Sequence, residues 1–516
     1  MNDIIIHKIN EVFFQLECED STAIELSNFL KCFAPNYKYH PRFKLHIWDG
    51  RVTFFDSRTR LLPIGLYPYI SKFCKKNNYT YSFEFDSKKF RNNLTDEFLE
   101  KFYLEIFSGT KFTLRDYQKE LIEVALKNKR GILLSATSSG KSITIYAMIR
   151  FFLMQNKRVI LIVPNIQLVN QMYSDFAEYS QRNTNGDYPW KDVDNYVAKL
   201  YNGMDPDLNK PVLISTFQSL AKKDLNFFET CGAVIVDETH RTKTVSIKNI
   251  LKNCINADYR IGVTGTMTSD LCELYTITGY LGPILKEIKV KELQEQGFLA
   301  DIKIKNIVLK YPIEFIKDNR RLEYDDEKKA IYNNPDRNKI LNLIFSNIPD
   351  EQNTLILLEN LWHLDFVKEH IEKTFSEKYE LLVIHGKIDP EDREAFRQIM
   401  ESKKNIILLA TYGTLSTGVS IKNIKNIVFF ASSRGQIRVL QSIGRGLRMK
   451  EGKTFVTLWD VVDSLCYKTK SGNLVRNHLF KHWEGDKDRD KLGRLDYYNA
   501  QKFEYKTLEK NICDLI

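Results

Sequence analysis

Ten short apolar runs, each followed by a stretch of helical period, constrain this chain more than any other feature. The first five are Gly131–Ser135, Arg158–Val163, Pro211–Ser215, Ala233–Val236 and Arg260–Val263. The second five are Thr354–Leu358, Leu381–Ile384, Asn405–Leu409, Asn426–Phe430 and Thr454–Leu458. A strand that is apolar throughout has both faces covered, so it belongs to a parallel sheet between helix layers. Two sets predict an α/β chain with two parallel-sheet domains in tandem. The 516 residues exceed what one core organises.

The flanks read differently. The first 95 or so residues are rich in aromatic and basic side chains, and Phe43–Phe55 alternates as strands do, with Asp49-Gly50 as a two-residue hairpin turn. A small α+β domain over 1–95 is expected, joined through the polar segment Asp86–Glu97 to domains over 96–285 and 286–463. Residues 464–516 are expected to form a short helical extension whose charge run, Lys481–Lys491, is a solvated face.

Composition narrows the class. With 43% hydrophobic and 28% charged residues and no long apolar run, no membrane span is expected. The first residues lack the charged and apolar regions of a secretory signal, and eight cysteines stand without a C-x-x-C pair. A reduced, cytoplasmic setting follows, without a zinc site or disulfides. The net charge of +10 suits a partner rich in phosphate but does not by itself select one.

Gly131–Ser142 reads as a phosphate loop, G-x-x-x-x-G-K-[ST], with Ser135 in place of the first glycine. In such a loop backbone N–H groups wrap a β-phosphate, the lysine neutralises β/γ oxygens, and the next hydroxyl ligates Mg²⁺. Ser138, Ser139, Gly140, Lys141 and Ser142 take those places. A carboxylate opposite the loop must hold the metal and another must orient water. The apolar run Ala233–Val236 ends in Asp237-Glu238-Thr239-His240, so Asp237 is assigned to Mg²⁺ and Glu238 to water activation. ATP and Mg²⁺ are the expected cofactors.

The acidic motif resembles that of superfamily 2 helicases, and the remaining motifs of that family follow in order. Leu114–Gln118 resembles the adenine-sensing segment, which would give Arg115 and Gln118 to the base. Val163–Gln171 and Ser215–Ser219 resemble segments along a nucleic-acid backbone, implicating Pro164, Asn165, Gln171, Thr216 and Gln218. Gly262–Thr266 resembles the hydroxyl motif that couples ATP state to movement through Thr264 and Thr266, with Gly418 joining them from Ala410–Gly418. His385, Gly386 and Thr411 fall in further backbone-contacting segments.

Gln441, Arg445 and Arg448 stand at i, i+4 and i+7, as on one helix face, with Gly444 and Gly446 between them permitting close approach. The resemblance, over Thr113–Trp459, implies two RecA-like domains and gives these three side chains to the phosphates. Asp116, Ser138 and Ser420 depart from residues common in the family.

The layout is similar to recombination and repair DNA helicases of bacteriophages, which implies forked or four-way DNA junctions as substrate and a host-cell cytoplasm as location. A monomer is expected, with recombination or single-strand-binding proteins as candidate partners. In the amino-terminal domain Lys38, Arg42, Lys44 and Arg51 interleave with rings, a pattern suited to branched or single-stranded DNA or to a small aromatic core. The residues alone leave open an RNA helicase, the motor subunit of a restriction nuclease, or an ATP-switched binding protein.

Overall fold

The computed structural model describes residues 2–515 other than 183–189, 203, 205, 240–244, 269, 387, 389, 416–420, 451 and 487–490. It divides into two compact units, one taking in the chain to Ser135 with Gly140–Ile288, the other Ala136–Ser139 with the chain from Lys289 on.

The first unit holds a seven-stranded parallel sheet in the order Ile284–Ile288, Arg130–Ser135, Tyr259–Thr264, Cys231–Asp237, Arg158–Val163, Val212–Thr216, Val197–Leu200. The five central strands are the five apolar runs. The two edge strands escaped notice in the sequence because an edge need not be apolar throughout: Ile284–Ile288 carries Lys286 and Glu287. Parallel register brings Asp237 beside Val263, and Thr264 beside Leu134, so all three strands deliver their carboxyl ends to one edge of the sheet.

The amino-terminal residues build a four-stranded mixed sheet, Leu61–Pro63, Phe13–Cys18, Ile4–Lys8, Tyr81–Phe83. Helices Asp20–Phe29 and Tyr67–Asn77 bury Leu26, Ile70 and Phe73 in its core. That core does not stop at the expected boundary. Cys272 and Tyr275, on the helix Leu271–Leu281 of the large sheet, belong to it, and a Cβ on Gly65 would lie 1.8 Å from the Thr278 carbonyl oxygen.

The expected hairpin across Asp49-Gly50 is not formed. Residues 43–48 are not a strand: Pro41–Lys44 is a helical turn started by Pro41 at its first position, and Arg51–Thr53 pairs antiparallel with Lys31–Phe33 instead. Alternation there reflects rings packing on one another, as Tyr37 and Phe43 do at 4.9 Å.

The second unit is another seven-stranded parallel sheet: Glu380–Ile384, Ile406–Thr411, Thr354–Leu358, Asn426–Phe429, Phe455–Ser464, Asp301–Lys310, Tyr505–Asn511. The five apolar runs are again consecutive. The last residues supply two helices, His478–Glu484 and Arg494–Ala500, and also the exposed edge strand Tyr505–Asn511. A buried ion pair ties them in, Arg494 Nε to Asp460 at 2.9 Å, and a second one within the unit joins Arg337 Nε to Asp463 at 2.8 Å.

Candidate nucleotide site

Strand Arg130–Ser135 hands the chain to helix Lys141–Met154 through the phosphate loop. Gly140 caps the helix with φ 80, a conformation that favours glycine, and a Cβ there would lie 2.5 Å from the end of the Gln118 side chain. Ser138 also has left-handed backbone at φ 71. Ser139 is buried and its N–H donates to the Ala136 carbonyl at 3.2 Å. The Ser142 hydroxyl is 2.9 Å from the Tyr179 hydroxyl.

Gln118 is buried, and its Oε1 accepts from the Arg115 N–H at 3.0 Å, closing the first turn of helix Asp116–Asn128. Arg115 Nη1 donates to the Tyr117 hydroxyl at 3.2 Å. Part of the amide expected to read adenine therefore also organises the helix that presents it.

Asp237 ends the acidic strand, almost wholly buried. Burial and the adjacent Glu238 charge push its carboxyl up to about 7. Glu238 takes left-handed backbone at φ 53, a conformation that costs about 1 kcal/mol for a residue with a Cβ and is typical of constrained functional positions. The turn is held by the Glu238 N–H donating to Asp237 Oδ1 at 2.9 Å and by Thr239 Oγ1 donating to the Val263 carbonyl at 3.1 Å. It aims Glu238 Oε1 at Lys141 Nζ, 3.6 Å away. The motif residues are thus joined: Thr239 touches the strand that ends in Thr264, whose hydroxyl donates to the Thr266 carbonyl at 2.9 Å. The buried Thr266 hydroxyl has no hydrogen-bond partner among the described residues.

The donor set suits a hard divalent cation. The Ser142 hydroxyl and the buried Asp237 carboxylate are oxygen ligands of the type Mg²⁺ takes, and a cation would relieve the penalty that holds the Asp237 carboxyl high.

In the second unit, helix Gln436–Gly446 carries the buried Gln441 and the half-buried Arg445. Arg448 is not on that helix face, contrary to the i, i+7 spacing. The helix ends at Gly446, where Lys453 Nζ takes the Gly446 carbonyl at 2.5 Å, and Arg448 instead forms a β-bridge with Leu299. Ala136–Ser139 groups with this unit: Ser138 Oγ donates to the Gly444 carbonyl at 3.0 Å and accepts from Arg448 Nε at 2.9 Å. A Cβ on Gly446 would come within 2.5 Å of Ile427 Cδ1, so this glycine serves helix-on-sheet packing.

The segments assigned to nucleic acid lie at strand ends, with mixed employment. Buried Pro164 follows strand Arg158–Val163, and Asn165 caps helix Ile166–Ser180 by accepting from the Leu168 N–H at 2.9 Å. Gln171 is exposed and donates to Asp175 at 2.7 Å. Thr216 donates to Ser219 at 3.1 Å, and Gln218 is exposed beside it. His385 and Gly386 follow strand Glu380–Ile384, and Thr411 ends its own strand 2.7 Å from the Thr414 hydroxyl. Gly418, His240 and Ser420 lie outside the described residues. Lys38, Arg42, Lys44 and Arg51 are exposed on the amino-terminal segment described above.

Tyr179 was missed by sequence reasoning. It stands 37 residues after Ser142, with no local motif around it, and only the packing of two helices brings the hydroxyls together.

Comparison with known proteins agrees with this layout. Residues 3–86 match the family "DNA helicase UvsW, N-terminal", 111–269 match "Type III restriction enzyme, res subunit", and 336–450 match "Helicase conserved C-terminal domain". The chain is 31% identical over 520 residues to the ATP-dependent DNA helicase uvsW of Enterobacteria phage T4, covering 98% of each. The crystal structure of T4 UvsW aligns with a TM-score of 0.50 at 29% identity, over 99% of this chain and 100% of that one. A putative HsdR subunit of a type I restriction enzyme from Vibrio vulnificus shares the fold, with a TM-score of 0.56 at 16% identity over 81% of this chain and 72% of that one.

Proposed function

Since the chain belongs to the family of the phage T4 UvsW DNA helicase, we propose that it unwinds and branch-migrates forked and four-way DNA junctions in recombination, repair and replication restart. It is an ATP-dependent DNA helicase, a nucleic-acid-stimulated ATPase of superfamily 2. The observation that supports the site assignment best is the pairing of Lys141 with Glu238 beside the buried Asp237, at the carboxyl edge of a parallel sheet.

Each residue then has a task. The N–H groups of Ser139, Gly140 and Lys141 and the Lys141 ammonium hold the phosphates. Ser142 and Asp237 would hold Mg²⁺, which supplies charge neutralisation on the β/γ oxygens. Glu238 accepts a proton from the attacking water. Its pairing with Lys141 places the carboxylate beside the phosphate-binding ammonium. Arg445 and Arg448 offset the charge of phosphoryl transfer, and Gln441 contributes an amide to the phosphates. Gln118 and Arg115 read the base. Thr264, Thr266 and Gly418 couple nucleotide state to movement along a strand held by Pro164, Asn165, Gln171, Thr216, Gln218, His385, Gly386 and Thr411. Lys38, Arg42, Lys44 and Arg51 engage the branch. The chain works as a monomer in the cytoplasm of a bacterial host, alongside recombination and single-strand-binding proteins.

The test is ATP hydrolysis and strand separation across forks, four-way junctions, plain duplex and RNA. Forks and four-way junctions should stimulate most, and Lys141→Ala should abolish the stimulated rate. Equal or greater stimulation by RNA would contradict the substrate reading, and a fully active Lys141→Ala would contradict the site.

A further inference from the structure

Residues 33–51 form a small finger closed at its base by the antiparallel pairing of Lys31–Phe33 with Arg51–Thr53. Phe33 stacks on Tyr37 at 4.5 Å, Tyr37 meets Phe43 edge-on, and Trp48 packs against His40 at 5.1 Å. Trp48 Nε1 donates to the Arg51 carbonyl at 2.7 Å, and a Cβ on Gly50 would lie 2.4 Å from the Tyr37 ring. Left-handed backbone at Asn36, His46 and Gly50 turns the chain sharply around these rings. The segment is thus held together by ring contacts of its own.

Tyr39, Leu45 and Ile47 are 77%, 67% and 64% exposed, and Tyr39 is the most exposed large apolar side chain among the described residues. Single exposed apolar residues are ordinary, but three within nine residues on a fixed scaffold call for a reason. The charge around them is one-sided: Lys31, Lys38, Arg42, Lys44 and Arg51 face one carboxylate, Asp49, which Lys31 takes at 3.0 Å. The remaining four cations complement a polyanion. Duplex DNA is a polyanion whose base faces are stacked out of reach, whereas unpaired bases offer both phosphate and exposed rings.

We propose that Tyr39, Leu45 and Ile47 receive unpaired bases at a DNA branch while Lys38, Arg42 and Lys44 hold the flanking phosphates. This rests on the reading that the amino-terminal module engages DNA. It adds the apolar contact that distinguishes a branch from a duplex.

Two variants of the full chain separate the parts: a tip variant, Tyr39→Ala/Leu45→Ser/Ile47→Ser, and a cation variant, Lys38→Ala/Arg42→Ala/Lys44→Ala. Binding is measured without nucleotide over a range of salt, on a fork with unpaired arms and on blunt duplex of the same length. The tip variant should lose about tenfold on the fork, with duplex affinity and salt slope kept. The cation variant should weaken both substrates and flatten the salt dependence by nearly one unit for each lost phosphate contact.

A cation effect without a tip effect overturns the proposal and leaves the module's DNA role standing. No effect of either variant overturns both. Unchanged fork binding with a shift from dimer to monomer in sedimentation overturns it in favour of a contact between copies. Tyr39→Ala alone repeats the measurement should the triple variant melt early.

Discussion

At the scale of single residues, the site is built from groups kept in costly states. Asp237 is buried with its carboxyl held high, Glu238 and Ser138 hold left-handed backbone, and the Thr266 hydroxyl is buried with no hydrogen-bond partner among the described residues. Such costs persist only where the surroundings over-determine them. Glu238→Gln keeps the shape but cannot take a proton; turnover should fall about 10²- to 10⁴-fold with ATP still bound, and a variant within threefold of wild type would remove Glu238 from the role of base. Tyr179→Phe removes the partner that fixes the Ser142 hydroxyl. One neutral hydrogen bond is worth about 0.5–1.5 kcal/mol, so the Mg²⁺ concentration for half-maximal hydrolysis should rise about two- to tenfold while the rate at saturating Mg²⁺ changes little. An unaltered Mg²⁺ titration would make the contact incidental. None of these residues except Tyr179 was hidden from sequence reasoning, because a short loop or strand end carries its chemistry in consecutive letters.

At the scale of elements, glycine at a docking point decides whether two parts can join. Gly65 lies in the short helical turn Ile64–Leu66 that meets helix Leu271–Leu281, where a methyl would strike the Thr278 and Gly279 carbonyls. Gly65→Ala should cost about 1–3 kcal/mol, read as a lower unfolding midpoint and faster proteolysis of the amino-terminal module. A midpoint within a degree of wild type would contradict the packing. Burial also sets a pH limit on the second unit. His363, stacked on Tyr332 at 4.2 Å with neither ring nitrogen hydrogen-bonded among the described residues, is held neutral well below its usual range, and burial lowers His482 to about 3. The unfolded chain binds these protons near pH 6.5 and the folded chain does not. Stability is therefore complete above pH 6.5 and falls as the pH drops toward 3, by about 1.4 kcal/mol per histidine between pH 7.5 and 5.5. Melting of His363→Phe should depend less steeply on pH over that range, and an unchanged slope would show that His363 titrates as it does in the unfolded chain.

For the whole molecule, the last fifty or so residues behave as part of the second sheet. Arg494 pairs with Asp460, Tyr498 donates to the same carboxylate at 2.8 Å, and Glu327 accepts from the backbone of His478 and Leu479 at 2.9 and 2.8 Å. Arg494→Ala leaves a buried charge alone and should cost about 3–5 kcal/mol in denaturant titration; a loss below 1 kcal/mol would mean that Asp460 finds another partner or a proton. Ending the chain at Asp463 should leave the second unit unfolded while Arg130–Ile288 keeps its sheet, which hydrogen exchange would read directly.

Two parallel sheets, the order of ten apolar runs along the chain, and the acidic and phosphate motifs are legible in the residues alone. These follow from local periodicity and from functional groups adjacent in the chain. Only the tertiary structure decided what depended on partners far apart in sequence. It ended the helix before Arg448, replaced an expected hairpin with an aromatic finger, fused the amino-terminal core to Cys272 and Tyr275, and added Tyr505–Asn511 to a sheet edge. An edge strand, a docking glycine and a hydroxyl pair are defined by what packs against them, and that information lies in residues dozens to hundreds of positions away.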